Sequence, residues 1–133
     1  MTETARPTNT PDELDLDALV GSWLPLPDVA ERMGIEFGKV RRLVQDRALV
    51  AVRRGERKVW SVPELLLAEI DGQVQPLPEI KGTITVLADA GYDDAEALRW
   101  LFTPDESLPG TPIEALRAGR KTEVRRRAQA LGF

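Results

Sequence analysis

Four residues constrain this chain more than any others: Ala30, Gly34, Val40 and Leu43, set four, six and three positions apart. Two short helices crossing at a steep angle need a small residue where they touch, which Ala30 supplies. The turn between them needs a residue tolerant of positive φ, and Gly34 is one. The second helix must face apolar side chains back toward the first, and Val40, Leu43 and Val44 fall at i, i+3 and i+4. Pro27 suits the first turn of the leading helix, which runs through Asp28 to Met33. The second helix is expected from Glu36 or Phe37 to about Arg47, with Glu36 as its cap. Val29, Met33 and Ile35 complete a small core. The pattern predicts a helix–turn–helix unit.

After that unit the apolar period changes from helical to two. In "ALVAVRRGERKVWSV", β-branched residues stand on both sides of Arg54-Gly55, which reads as a β-hairpin with a basic tip. Pro63 is expected to begin a third helix, Glu64 to Ile70. Upstream, "ELDLDALVGSW" predicts a short helix through Leu16, Leu19 and Val20, ended by Gly21. The fold class that follows is mainly α with a small β-hairpin wing: a winged helix–turn–helix plus a helical C-terminal domain. The chain divides into a disordered tail (1–13), the winged unit (14–72), a Pro- and Gly-rich linker (73–82, within "DGQVQPLPEIKG") and C-terminal helices (83–133).

Charge is distributed unevenly along the chain. The net charge is −4, yet Arg32–Trp60 carries nine bases against three acids, a local +6. Residues 1–31 balance at −6 and residues 61–133 at −4. A basic block on the second helix and wing of such a unit is the footprint expected on a polyanion, with acidic remainders keeping other surfaces off it. The second helix enters the DNA major groove with its N-terminal half toward the base edges. Gly38, Lys39, Arg41, Arg42 and Gln45 would then face double-stranded DNA. Arg42 and Gln45 are the candidates for direct reading, because Arg pairs bidentately with guanine and Gln with adenine. Lys39 and Arg41 suit phosphates. Arg53, Arg54, Arg57 and Lys58 of the wing would lie against the backbone or in the minor groove.

Absences exclude much else. The chain has no His and no Cys, which removes the usual zinc sites, thiol and Ser–His nucleophiles and imidazole acid–base chemistry. No Gly-rich phosphate loop is present. No cofactor and no metal site is expected, and the chain reads as a binder, not an enzyme. Asp93 and Asp94 read as helix-capping groups. No apolar run approaches the length of a membrane span, and the N-terminus does not read as a signal peptide, so a cytoplasmic protein is expected.

The last third reads as helical. Ile84, Leu87 and Ala88 form one short face before Gly91. Asp93 with Glu96, and Thr111-Pro112 with Glu114, have the spacing of reciprocal caps. A final helix from about Thr122 carries Val124, Ala128 and Leu131 on one side and Arg125, Arg126 and Arg127 mostly on the other, a solvated face. Trp23, Trp60 and Trp100 read as core residues. A competing reading is a protein-docking module, in which Trp100, Leu101, Phe102 and Ile113 of the C-terminal helices capture a partner if they are exposed. Thr8 and Thr10, with Thr4, are candidate acceptors for a Ser/Thr kinase, since a phosphate there would add negative charge near the footprint.

"LPDVAERMGIEFGKVRRLV" followed by "LVAVRRGERKVW" resembles the N-terminal domain of a small actinobacterial winged helix–turn–helix family found in mycobacteria and relatives, and more widely the excisionase and MerR-type readers. "ITVLADAGYDDAEALRWLFTPDESL" with "TPIEALRAGRKTEVRRRAQALGF" resembles that family's helical C-terminal domain. The "TPIEAL" pattern is also similar to the toxin-binding domain of some bacterial antitoxins. The resemblance implies a DNA-binding regulator or nucleoid-associated protein, with the C-terminal helices serving association, for instance as a homodimer.

Overall fold

The computed structural model describes residues 11–132; the tail containing Thr4, Thr8 and Thr10 lies outside them. The described residues open with α1 (Pro11–Val20), which Gly21 ends at φ 84°. The helix therefore starts inside the stretch expected to be tail. Strand β1 (Trp23–Pro25) leads directly into α2 (Leu26–Met33). Gly34, at φ 69° and ψ 34°, closes α2 while the Ile35 N–H donates to the Ala30 carbonyl at 3.0 Å. This left-handed stop lets α3 (Phe37–Gln45) cross α2. Val40 is completely buried against Val29, while Leu43 and Val44 pack at the margin of the same core. Glu36 occupies the cap position of α3, but its side chain accepts no hydrogen bond there.

The wing consists of β2 (Val52–Arg54) and β3 (Val59–Pro63). They belong to a three-stranded antiparallel sheet in the order β1-β3-β2, with Leu24 opposite Val62 and Arg53 opposite Trp60. Strand β1 was not expected from the sequence. The segment after the wing also differs from expectation. Glu64–Leu66 is a single 3-10 turn, and β4 (Leu67–Ile70) pairs with β5 (Gln73–Pro76) in a second antiparallel hairpin. No third helix forms over Glu64–Ile70, and the stretch read as linker holds a strand, the buried Leu77 and the buried start of a helix at Ile80. The reason is the turn Asp71-Gly72, both at positive φ (54° and 80°), which reverses the chain after Ile70 and fixes the ladder register.

Four helices follow: α4 (Ile80–Asp89), α5 (Asp94–Phe102), α6 (Pro112–Arg117) and α7 (Lys121–Ala130). Helices α5 and α6 each start with the expected reciprocal cap, Asp93 with Glu96 and Thr111 with Glu114. Of the four residues expected to serve docking if exposed, Leu101, Phe102 and Ile113 are buried core, and Trp100 is half-buried against that core. The arginine run is not wholly a solvated face. Arg127 donates to the Ser107 hydroxyl (2.6 Å) and carbonyl (3.2 Å), clipping the α5–α6 loop to α7. Arg125 rests on Gly82 of α4, where any Cβ would collide with its guanidinium. Among the described residues no helix is long and apolar enough to cross a membrane.

Candidate nucleic-acid interface

Helix α3 presents its outward face because its opposite face is fastened to α2. With Val40, Leu43 and Val44 turned inward, the 100° step per residue sends Gly38, Lys39, Arg41, Arg42 and Gln45 outward, and all five are exposed. Among the described residues, Lys39, Arg41 and Arg42 form no ion pair. Their charge is therefore not neutralised within the fold. Arg47, just past the end of α3, takes a left-handed backbone (φ 66°) that lets the Ala48 N–H reach the Leu43 carbonyl at 2.9 Å. The sequence offered no glycine to mark this stop.

The wing residues divide into two groups. Arg53 and Arg57 are exposed, and the Arg53 guanidinium lies 5.4 Å from the centre of the Trp60 ring. Arg54 turns the other way. Its Nε donates to Asp17 Oδ1 at 3.0 Å, and its guanidinium sits 5.1 Å from the centre of the Trp23 ring. The Trp23 indole N–H in turn approaches the Asp17 carbonyl at 3.4 Å. Arg54 thus ties the wing to α1, an occupation that the sequence pattern gave no sign of. Lys58 is half-buried at φ 53° and closes the hairpin turn through its N–H to the Gly55 carbonyl at 3.1 Å. Arg32 pairs with Glu64 at 3.1 Å, bracing α2 against the end of the wing.

Two aromatic residues of this face were missed by sequence reasoning. Trp60, expected in the core, is 48% exposed, and Phe37 at the first position of α3 is 45% exposed. Phe37 shares the apolar stripe of Val40 and Val44, but the first turn of the helix extends beyond the core that this stripe covers. Trp60 was recognisable only through register: it stands opposite Arg53, one of the basic wing residues. With Val59 they border a groove of about 520 Å³ between α3 and the wing.

Comparison with known proteins agrees with this architecture. Residues 11–67 match the family model described as "DNA-binding protein Rv2175c, wHTH domain", and residues 77–132 match "Rv2175c C-terminal domain of unknown function". The chain is 40% identical over 120 residues to the DNA-binding protein Rv2175c of Mycobacterium tuberculosis, covering 81% of this chain and 79% of that protein. It is also similar to the NMR structure of Rv2175c, with a TM-score of 0.73 and 34% identity over 96% of this chain and 87% of the other. From its winged helix–turn–helix to its C-terminal helices, the chain belongs to the Rv2175c family of DNA-binding proteins.

Proposed function

We propose that the protein binds double-stranded DNA, as a transcriptional regulator or nucleoid-associated protein of the cytoplasm, with α3 in the major groove and the wing on the backbone. The observation that carries this reading is the unpaired, exposed row Lys39, Arg41 and Arg42 on a helix whose other face is locked to α2. Arg42 and Gln45 are the proposed readers of base edges. Lys39, Arg41, Arg53, Arg57 and Lys58 are the proposed phosphate contacts. Arg54 is left out of that group, since its guanidinium is held by Asp17 and Trp23.

About five phosphates neutralised per protomer predict that log K falls against log salt with a slope of about −4 to −5. Fluorescence anisotropy with labelled duplex across a salt series measures this. The double substitution Arg41→Ala/Arg42→Ala is expected to weaken binding and to flatten the slope by about one, through the lost Arg41 phosphate contact. Binding indifferent to both salt and the double substitution would remove the proposal. The competing reading, capture of a protein by the C-terminal helices, is not favoured, because three of its four contact residues, Leu101, Phe102 and Ile113, are buried and Trp100 is half-buried against the same core.

A further inference from the structure

We propose that the groove between α3 and β3 seats one sugar–phosphate strand of the bound duplex, with Trp60 and Phe37 packing against its deoxyriboses. The inference rests on the DNA-binding reading and adds to it an apolar contact surface. Leu26, Pro27, Phe37, Val59 and Trp60 line the groove, and Arg41 stands on its helical wall. Phe37, Val59 and Trp60 are each at least 40% exposed. Three large apolar side chains bordering one exposed groove mark a surface that is covered in use.

Charge identifies what covers it. Among the described residues no carboxylate lines this groove. Arg41 and Gln45 stand on its helical wall, and the Arg53 guanidinium reaches the same Trp60 ring, 5.4 Å from its centre, from the neighbouring groove. A neighbouring groove of about 420 Å³ shares Trp60 but sets Asp17, Asp93 and Asp94 against Arg53, Arg54 and Arg99, so its charges offset and it offers a polyanion no net attraction. The side of Trp60 toward α3 is therefore the one suited to nucleic acid.

Topography gives the same answer. A recognition helix occupies the major groove while a wing rests on the backbone or in the adjoining minor groove. The ridge between those two grooves of DNA is a single sugar–phosphate strand, and it must pass between helix and wing. A deoxyribose presents an apolar carbon face, and its flanking phosphates meet guanidinium groups. Phe37, Val59 and Trp60 offer the apolar part and Arg41 the guanidinium, with Arg53 at the far edge of the Trp60 ring.

The test uses the full chain, a short labelled duplex and anisotropy over a salt series. Trp60→Ala is expected to weaken binding about tenfold with an unchanged salt slope, since apolar contact releases no counterions. Trp60→Phe should recover most of the loss. Acrylamide quenching supplies a readout independent of affinity: duplex should protect tryptophan emission in the natural chain but not in Trp60→Phe, which keeps only Trp23 and Trp100. Wild-type affinity in Trp60→Ala, alongside weakened Arg41→Ala/Arg42→Ala, would put the groove off the DNA while leaving the DNA-binding reading intact. A slope that falls in Trp60→Ala as it does in Arg53→Ala would mean that the ring serves only to hold the guanidinium, overturning the apolar seat. Unchanged quenching on adding duplex overturns it as well. Indifference of Arg41→Ala/Arg42→Ala would remove DNA binding itself, and this inference with it.

Discussion

Gly38, the second residue of α3, lies where glycine destabilises a helix by about 0.5–1 kcal/mol relative to alanine. Nothing inside the fold requires it. An added Cβ would meet no heavy atom within 4 Å, and the backbone there is not left-handed. At Gly82, by contrast, a Cβ would displace the Arg125 guanidinium that rests on it. A glycine that the protein itself does not need, in the half of a recognition helix that comes nearest to DNA, suits close approach of the helix backbone to the duplex. Gly38→Ala is therefore expected to act in opposite directions on two measurements. Thermal unfolding should report a gain of about 0.5–1 kcal/mol, and anisotropy should report weaker binding to duplex. A variant that is more stable yet binds DNA as before would show that the helix stands off at this position.

Among the elements, the helices that begin with reciprocal caps are those fixed most locally. At α6 the Thr111 N–H donates to Glu114 Oε1 at 2.9 Å, and the Glu114 N–H donates to the Thr111 hydroxyl oxygen at 3.2 Å. The Thr111 backbone N–H and then its hydroxyl hold the Glu114 carboxyl below its ordinary pKa. Asp105 is lowered likewise, first by the Ser107 hydroxyl, then by the Ser107 backbone N–H, with Arg127 adding to them. A carboxyl whose folded pKa is depressed takes up its proton more readily in the unfolded chain. Its contribution is full above the ordinary carboxylate pKa and is lost as pH falls through the lowered value. An NMR titration of the Glu114 carboxyl is expected to show a midpoint below that of an unperturbed glutamate, moving up toward it in Thr111→Ala. An ordinary midpoint in the unsubstituted chain would mean that the box does not persist in solution.

This locality explains what was legible in the sequence. The two boxes, the Gly34 stop and the inward stripe of α3 each depend on residues within a few positions of one another. Strand β1 could not be read that way, because Trp23–Pro25 is a strand only through pairing with Ser61–Pro63, far along the chain. Leu65, Leu66, Leu67 and Ile70 fit either a helix or a strand by spacing alone. The deciding signal, Asp71-Gly72, was present and is the stronger kind of hairpin mark, but its neighbouring prolines gave it the look of a linker. At the candidate interface the helix face was legible from periodicity. The inward turn of Arg54 depends on Asp17 of α1 and on Trp23, and the outward position of Trp60 on its register opposite Arg53, which no local pattern encodes.

At the scale of the whole molecule, two halves that match separate family models share one interior. Leu16 and Val20 of α1 belong to the same buried cluster as Leu98 and Leu101 of α5, against which α1 packs. A second tie joins the halves on another side. Arg117 of α6 donates through Nη1 to the carbonyls of Leu65 (2.8 Å) and Leu67 (2.6 Å), at the point where the wing unit passes into β4. A charged donor on a backbone acceptor contributes on the order of 1–2 kcal/mol where it is partly shielded from water. A shared core coupled in this way should unfold in a single step. Trp60→Phe/Trp100→Phe leaves Trp23 to report on the winged half, and Trp23→Phe/Trp60→Phe leaves Trp100 to report on the helical half. Both reporters are expected to melt at one midpoint, and Arg117→Ala should lower that midpoint equally in each background. Two separated midpoints, or a loss confined to the Trp100 signal, would mean that the recognition unit stands independently of the helices behind it, and that α1 lies on α5 without sharing their stability.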